Sequence, residues 1–538
     1  MAGAALWCAF VLPATTGDAY PFGDGALIEL YTLHASQGLW GLGPYSRFGW
    51  HHPGPLYFYL CVPFYDLSRE HGLALNAAAF AINIAALGVI AWCAVRYAGR
   101  AFVLSLLVAF GVLLWRVPAL MVSAWNPHVI VLPCAALIVM AAVVASGRLS
   151  LLPALVFTGS FLVQTHIALV PCTLAIAGAA LIAALWGQWR ERAAWRWIAA
   201  AAVTGAIVWI PPIVEQLTTA DGNLSQLARF FLTPDERFGG ITWNTALQVL
   251  AFAWTAPFGP RLRLPHGQDL TVDASLVSIG LVITAIVALV MAGRWAAVRG
   301  MRVEAWTCRL SALMSIAAFL SIARIRGGLH EHVVWWVAIV GVISVAALAA
   351  VLITFLASRF DTAATGAPIA AAGAPAPPRR FPVVSAVPAA AIVMLTIAAA
   401  SGAARLDRLR LALPIKDPAA GGGSPTEMAF RCTRGFVART RAQRPLLRVA
   451  GTWAETAGLV LQFHKRGYTI RVDPGAVWLY GPMFAPRGDE DLELTVANRD
   501  TRDDVGQQPD DCMLLERHGL SIHVRQSSLA RDISVVCE

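Results

Sequence analysis

Residues 17–60 read GDAYPFGDGALIELYTLHASQGLWGLGPYSRFGWHHPGPLYFYL. The stretch gathers Asp18, Asp24, Glu29, Arg47, His51 and His52 among aromatics, glycines and prolines, and strongly apolar sequence flanks it on both sides. Ionisable groups are expensive to desolvate, so a cluster of them in such surroundings points to use in a cavity. The surroundings set the class. Of 538 residues, 57% are hydrophobic and 14% charged, with a mean hydropathy of +0.62, whereas soluble domains carry roughly 25% charged residues. The chain therefore reads as a polytopic membrane protein, mainly α.

Working outward, apolar runs cover 2–14, 73–95, 101–120, 128–145, 149–166, 168–186, 197–214, 275–292, 310–325, 333–356 and 383–400. At the ~20 residues that a crossing needs, they make about eleven spans. The first is short and lacks the basic flank of a signal peptide; it reads as a span that neighbouring residues complete, or one whose start is placed late. The net charge of +9 does not make a nucleic-acid binder, because the basic residues fall in loops and form no patch interleaved with exposed aromatics. They report topology instead. Short cytoplasmic loops hold the Lys/Arg excess, and Arg occurs in each of 96–100, 146–150, 188–196, 293–309 and 358–380. Alternating from a cytoplasmic N-terminus places 17–72, 215–273 and everything after 406 outside.

These boundaries give a transmembrane domain, 1–402, with its first extracytoplasmic loop at 17–72, and a C-terminal extracytoplasmic domain, 403–538, in a multi-pass protein of the cell membrane. The Ala/Pro/Gly-rich run after Asp361 reads as a flexible linker. The stretch 215–273 holds amphipathic pieces such as Leu224–Leu232, suited to lie at the interface over a site. In the C-terminal part, Leu446–Ala450, Tyr468–Val472, Leu492–Val496, Ser521–Val524 and Ile533–Val536 read as strands and Ala454–Arg466 as a helix, which makes a small α/β module. Gly451 and Gly458 lack the spacing of a dinucleotide fingerprint. The acidic run 489–511 reads as a solvated loop. Of nine cysteines, Cys432, Cys512 and Cys537 lie in this polar part, where an oxidising compartment would permit a disulfide and leave one thiol over.

Asp24 stands just beyond the first apolar run. A partly desolvated carboxylate there can serve as a general base, its pKa drawn toward working pH; it can equally cap the helical pattern Leu27, Leu30, Tyr31, His34, and the two roles are compatible. Glu29 lies five residues on, off the spacing that shares a helix face. Pro53, Gly54 and Pro55 impose an extended turn that sets His51 and His52 on irregular backbone, tolerated at membrane depth only in a protein interior or a cavity. Arg47 offers a planar fork that suits phosphate, and the imidazoles can add a cation or a hydrogen bond. The bland alternative is an interfacial anchor of Trp50 and tyrosines. Further polar residues at outer span ends are Asn126, Gln164, His166, Glu215, Arg324, Arg326, His330 and His332; a lone His or Gln there more often bonds between helices, whereas Arg324 with Arg326 suits a phosphate. His128 and His266 read as surface residues.

An acidic residue after the first span, a His pair followed by Pro-Gly-Pro-Leu about thirty residues later, many spans and an outside C-terminal domain together resemble the GT-C glycosyltransferases. The resemblance is to the aminoarabinose transferases and protein O-mannosyltransferases through actinobacterial membrane proteins, and it covers the chain to about Gly402. It implies inverting transfer of a sugar from a polyprenyl-phosphate donor to a cell-envelope acceptor (glycan, lipid or protein) on the outer face. Asp24 matches the family's catalytic Asp, and His51 and His52 fall where the aminoarabinose enzymes carry Glu-Lys, the Lys there contacting donor phosphate. Glu29, Gln164, His166, Glu215, Arg324, Arg326 and His330 join Arg47 as candidates for donor phosphate or substrate. Gly25 follows Asp24 where many relatives have a second carboxylate, so a divalent cation stays open and no other cofactor is implied. The rival class is a transporter or flippase of lipid-linked sugars; it would be expected to carry internal repeats or matched broken spans, and the sequence has no such symmetry. A scaffold presenting the C-terminal module would leave the first loop unexplained.

Overall fold

The computed structural model describes residues 3, 5, 8–9, 20–188, 190–233, 239–259, 262–265, 269–270, 275–365, 425–498, 511–517 and 520–525. The expected spans 2–14, for all but a few residues, and 383–400 lie outside them, as do most of the linker after Asp361 and the strand at 533–536. The first loop, 17–72, contains two helices, α1 (Gly23–Ser36) and α2 (Leu56–Leu67), which pack together. Then follow α3 (Ala74–Tyr97), α4 (Arg100–Arg116), α5 (Val131–Ala145), α6 (Leu152–Thr165), α7 (Val170–Gln188) and α8 (Arg192–Thr218). The outer stretch supplies the amphipathic α9 (Asn223–Leu232) and α10 (Trp243–Thr255), after which come α11 (Leu276–Val298), α12 (Arg302–Ile322) and α13 (Val337–Thr365).

Each expected span within the described residues is thus a helix, and seven helical segments are long and apolar enough to cross a bilayer. Burial arranges them. Every residue of α5 is buried, so it is the axis of the bundle, whereas α8 and α11 turn Val203, Ile207, Leu281 and Val287 outward as a lipid-facing surface. The break between α6 and α7 comes at His166, whose extended backbone (φ −153°, ψ 111°) interrupts helical hydrogen bonding. Gly43 is required in the first loop, since a Cβ there would lie 2.5 Å from the His52 carbonyl oxygen.

The C-terminal part contains α14 (Pro425–Thr440), β1 (Pro445–Ala450), α15 (Trp453–Lys465), β2 (Arg471–Val472), β3 (Leu492–Asn498), β4 (Asp511–Arg517) and β5 (Leu520–Arg525). They form one five-stranded sheet in the order β2-β1-β3-β5-β4, with β1 parallel to β2 and β3 and with β5 antiparallel to β3 and β4. The register sets buried Leu447 beside Leu494 and Val496 beside Ile522, the alternation that a half-covered sheet demands. Two expectations need correction. The run 489–511 is not all loop, because β3 occupies 492–498 and Asp511 opens β4; the strand expected over 468–472 pairs only at Arg471 and Val472.

This domain sits on α1. Gly458 of α15 permits the approach, since a Cβ there would lie 2.8 Å from the Pro21 carbonyl oxygen and 2.4 Å from Thr426 Cγ2. Glu29 of α1, almost wholly buried, accepts Lys465 Nζ at 2.6 Å and Tyr65 Oη–H at 3.0 Å, while Lys465 also donates to the Glu70 carbonyl at 2.6 Å. Tyr31 Oη–H reaches the Leu479 carbonyl at 2.5 Å. Lys465→Met leaves a buried carboxylate without its cation and should cost about 3–5 kcal/mol, whereas pairing it with Glu29→Leu should restore most of that. Denaturant unfolding of the purified full chain in detergent tests this, and equal loss in the single and double variants would contradict it.

Candidate active site

Asp24 lies in the first turn of α1, but Phe22 holds the capping position and no side chain caps the helix. The capping role is therefore absent, and the carboxylate points elsewhere. Its Oδ1 accepts the Tyr45 hydroxyl at 2.6 Å and its Oδ2 accepts Trp125 Nε1–H at 2.7 Å. Both partners are neutral. Burial raises the Asp24 pKa, and these two hydrogen bonds pull it back part of the way because they favour the ionised form. The first-turn position adds the helix dipole to the stabilisation of the anion.

A ring of contacts runs from Asp24 to Arg47 on each side. On one side the Trp125 ring lies tilted at 4.7 Å from His332, His332 stacks at 5.5 Å on His330, and His330 Nε2 accepts from the Arg47 guanidinium. On the other, Tyr45 and Arg47 are two residues apart on one backbone segment, which spans about 7 Å when extended. Arg47 also donates to the Gly328 carbonyl and lies 4.9 Å from the Phe48 ring centroid. Because Nε2 of His330 accepts, its Nδ1 carries the hydrogen, and Nδ1 faces Asp269 Oδ1 at 2.8 Å. Asp269 and His330 thus orient the guanidinium. Backbone bridges from 326 to Gly240 and from His330 to Asp269 show that the outer stretch 215–273 covers this side.

The remaining candidates fall into distinct places. His52 Nδ1 accepts the Ile167 N–H at 3.1 Å, so the ring is neutral with its hydrogen on Nε2, and burial with the neighbouring imidazoles pushes its pKa well below the usual value. It stacks on His166 at 5.0 Å, whose buried Nδ1 has no partner among the described residues. His51 sets Nδ1 at 3.0 Å from the Gly43 carbonyl and Nε2 at 2.9 Å from the Trp478 carbonyl; both carbonyls are acceptors, so a neutral ring donates to one of them and an imidazolium to both. Gln164 donates to the Val208 carbonyl and accepts from Leu56 N, which fixes the Pro-Gly-Pro turn. Glu215 accepts from Asn223 N, and Asn223 in turn bonds the backbone of His51 and His52. Arg326 donates to the Thr233 carbonyl over the Phe230 ring, and Arg324 is exposed without a partner among the described residues. Glu29 belongs to the domain contact, and Asn126 makes one long bond to the Thr165 carbonyl. His128 is not a surface residue: it is buried between Ser123 Oγ at 2.8 Å and the Pro265 carbonyl at 3.0 Å. Asp18 and His266 lie outside the described residues.

Among the described residues, no three His, Cys, Asp or Glu side chains form a group that could hold a metal ion. Both Asp24 oxygens face neutral donors.

No protein-family model and no curated protein matches the chain. Solved structures do. The crystal structure of ArnT from Cupriavidus metallidurans bound to undecaprenyl phosphate matches over 98% of both chains, at 15% identity and a TM-score of 0.51. The apo state of the same protein matches over 98% of this chain and 97% of that one, at 14% identity and a TM-score of 0.52. The chain has the ArnT fold. ArnT is a GT-C glycosyltransferase, and the likeness extends across the transmembrane and C-terminal parts together.

Within this ArnT-like fold, sequence reasoning passed over Tyr45, Trp125, Asn223 and Asp269. Tyr45 and Trp125 stand inside the stretches Tyr-Ser-Arg and Trp-Asn-Pro-His, and a rule that buried carboxylates need donors would have singled them out. Asn223 acts as a side-chain mimic of a strand. Asn223→Ala should strand the buried His51 N–H and cost about 1–3 kcal/mol. Thermal unfolding of the full chain in detergent would reveal this, and an unchanged midpoint would show the clamp to be dispensable.

Proposed function

We propose that the chain is an inverting membrane glycosyltransferase that moves a sugar from a polyprenyl-phosphate donor to a cell-envelope acceptor on the outer face. The observation that carries this reading is the pairing of a buried carboxylate with neutral partners, Asp24, and a separately held guanidinium, Arg47, on one ring of contacts. The match to ArnT, a protein solved with undecaprenyl phosphate, supports the donor class. A disulfide-bonded Cys432 supports an oxidising compartment for the C-terminal domain.

Asp24 takes the proton from an acceptor hydroxyl as that oxygen attacks the anomeric carbon. The bond from this carbon to the phosphate oxygen breaks, its electron pair leaves with the polyprenyl phosphate, and Arg47 meets the charge that develops there. His52 serves through its Nε2–H as a neutral donor. The raised Asp24 pKa retains enough basicity to take a proton in the transition state, yet the site must remain ionised at working pH.

Radiolabelled transfer from a panel of polyprenyl-phosphate sugars to envelope fractions tests the reading; movement of intact donor across a bilayer without transfer would overturn it in favour of a flippase. Asp24→Asn should lower turnover about 10²–10⁴-fold and preserve donor binding. Arg47→Ala should lower the rate at saturating donor by roughly 10²-fold, because its effect is greatest in the transition state.

The pH profile carries a sign. The base is lost as pH falls through the Asp24 pKa, so the acid limb of activity should lie above the ~4 of an ordinary carboxylate. Tyr45→Phe removes a bond that favours the anion, so it should move that limb to higher pH. A limb that stays in place would dissociate it from Asp24.

A further inference from the structure

Two half-exposed indoles of the C-terminal domain border the Asp24 site without taking part in its hydrogen bonds. Trp453, the first residue of α15, is 37% exposed, its ring lies 5.3 Å from Tyr45, and it packs against Gly23, the neighbour of Asp24. Trp478, in the one-turn helix Val477–Tyr480, is 39% exposed, and its ring lies 6.0 Å from His51. Tyr45 and His51 are bridge partners across an antiparallel pair, with Cα atoms about 4.5–5.5 Å apart, so the indoles flank a single pair of residues. Tyr480 Oη–H donates to the Trp453 carbonyl at 2.8 Å and fixes one relative to the other. Neither indole N–H has a partner among the described residues.

We propose, on the strength of the transferase reading above, that Trp453 and Trp478 form the acceptor platform and that the acceptor is a saccharide presenting a pyranose ring. A sugar ring has an apolar C–H face and a polar edge, which is the complement of an indole face beside a free N–H. The position fits as well, because a ring stacked there sits beside Tyr45, whose hydroxyl is 2.6 Å from the Asp24 carboxylate that would take the hydroxyl proton. A hydrocarbon chain is the poorer occupant. It would leave both indole N–H groups without partners, whereas the cluster of Phe48, Trp50, Phe230 and Phe231 offers it an apolar surface on the far side of the same loop.

The test uses the full chain in lipid nanodiscs and saturation-transfer NMR with methyl α-mannopyranoside, methyl β-glucopyranoside, methyl β-galactopyranoside and N-acetylglucosamine as probes. At least one should receive saturation, concentrated on the protons of one ring face. The signal should fall several-fold in Trp453→Leu and in Trp478→Leu, and persist in Trp243→Leu, which removes an exposed indole on α10. No transfer to any probe in the wild-type chain, or equal transfer in all variants, overturns the platform, and the wild-type result does so whatever the variants' folding. Undecaprenyl phosphate binding by native mass spectrometry on the same samples separates the two readings. Phosphate binding without sugar contact sinks the platform alone; indole-dependent sugar contact without phosphate binding sinks the donor reading and keeps the platform.

Discussion

The buried pair of Glu29 and Lys465 holds the two parts of this protein in register. Glu29 lies midway along α1, which begins at Gly23, and Lys465 ends the helix that begins at Trp453, so one contact between the middle of α1 and the end of α15 fixes how their first turns meet. An ion pair this deep gains little net stability, since desolvation consumes most of its attraction, but it penalises any arrangement that separates the partners. Its value is registry. The Tyr31 bond to the Leu479 carbonyl and the close approach at Gly458 then fix rotation and distance, and Trp453 arrives beside Tyr45 as a consequence.

In the first turn of α1 the constraint is opposite in kind. Asp24 and Arg47 carry unlike charges, and a direct pair between them would lower the carboxylate's basicity and occupy the guanidinium. The fold keeps each supplied with its own partners: neutral hydroxyl and indole donors for Asp24, an imidazole and a carbonyl for Arg47. The charges thus remain on one ring of contacts without neutralising each other. In the proposed transfer, that separation lets one group accept a proton while the other faces a departing anion.

Much of this was legible in the sequence where a single physical term dominated. Helices of the bundle followed from apolar length, and the break at His166 followed from the polar Gln-Thr-His between two runs. Asp24 and Arg47 stood out because charge is rare in such a chain. What could not be read depended on partners distant in sequence. Trp125 lies about a hundred residues from the carboxylate it serves, Lys465 is one of only two lysines yet resembles any surface cation, and β4 carries a charged residue at each end that masks a strand formed by pairing with β5. The imidazoles are hard to read for a related reason: their chemistry depends on which nitrogen meets a carbonyl or an N–H, and only the folded loop decides that.

The loop of residues 43–54 lies between two unlike surfaces. Tyr45 and His51 meet the C-terminal domain, whereas Phe48 and Trp50 meet Phe230 of the amphipathic helix α9, whose Leu232 is exposed. A tight turn, with Gly49 at φ +85°, lets one short segment present aromatic groups to both. The segment cannot slide, because Asn223 bonds the backbone of His51 and His52 while Gln164 bonds that of the Pro-Gly-Pro turn. His51 then joins the loop to the Trp478 carbonyl and His52 joins it to the Ile167 N–H, one toward the sheet domain and one toward the bundle. The imidazole pair is, by these bonds, the joint through which the bundle and the C-terminal part share a single loop.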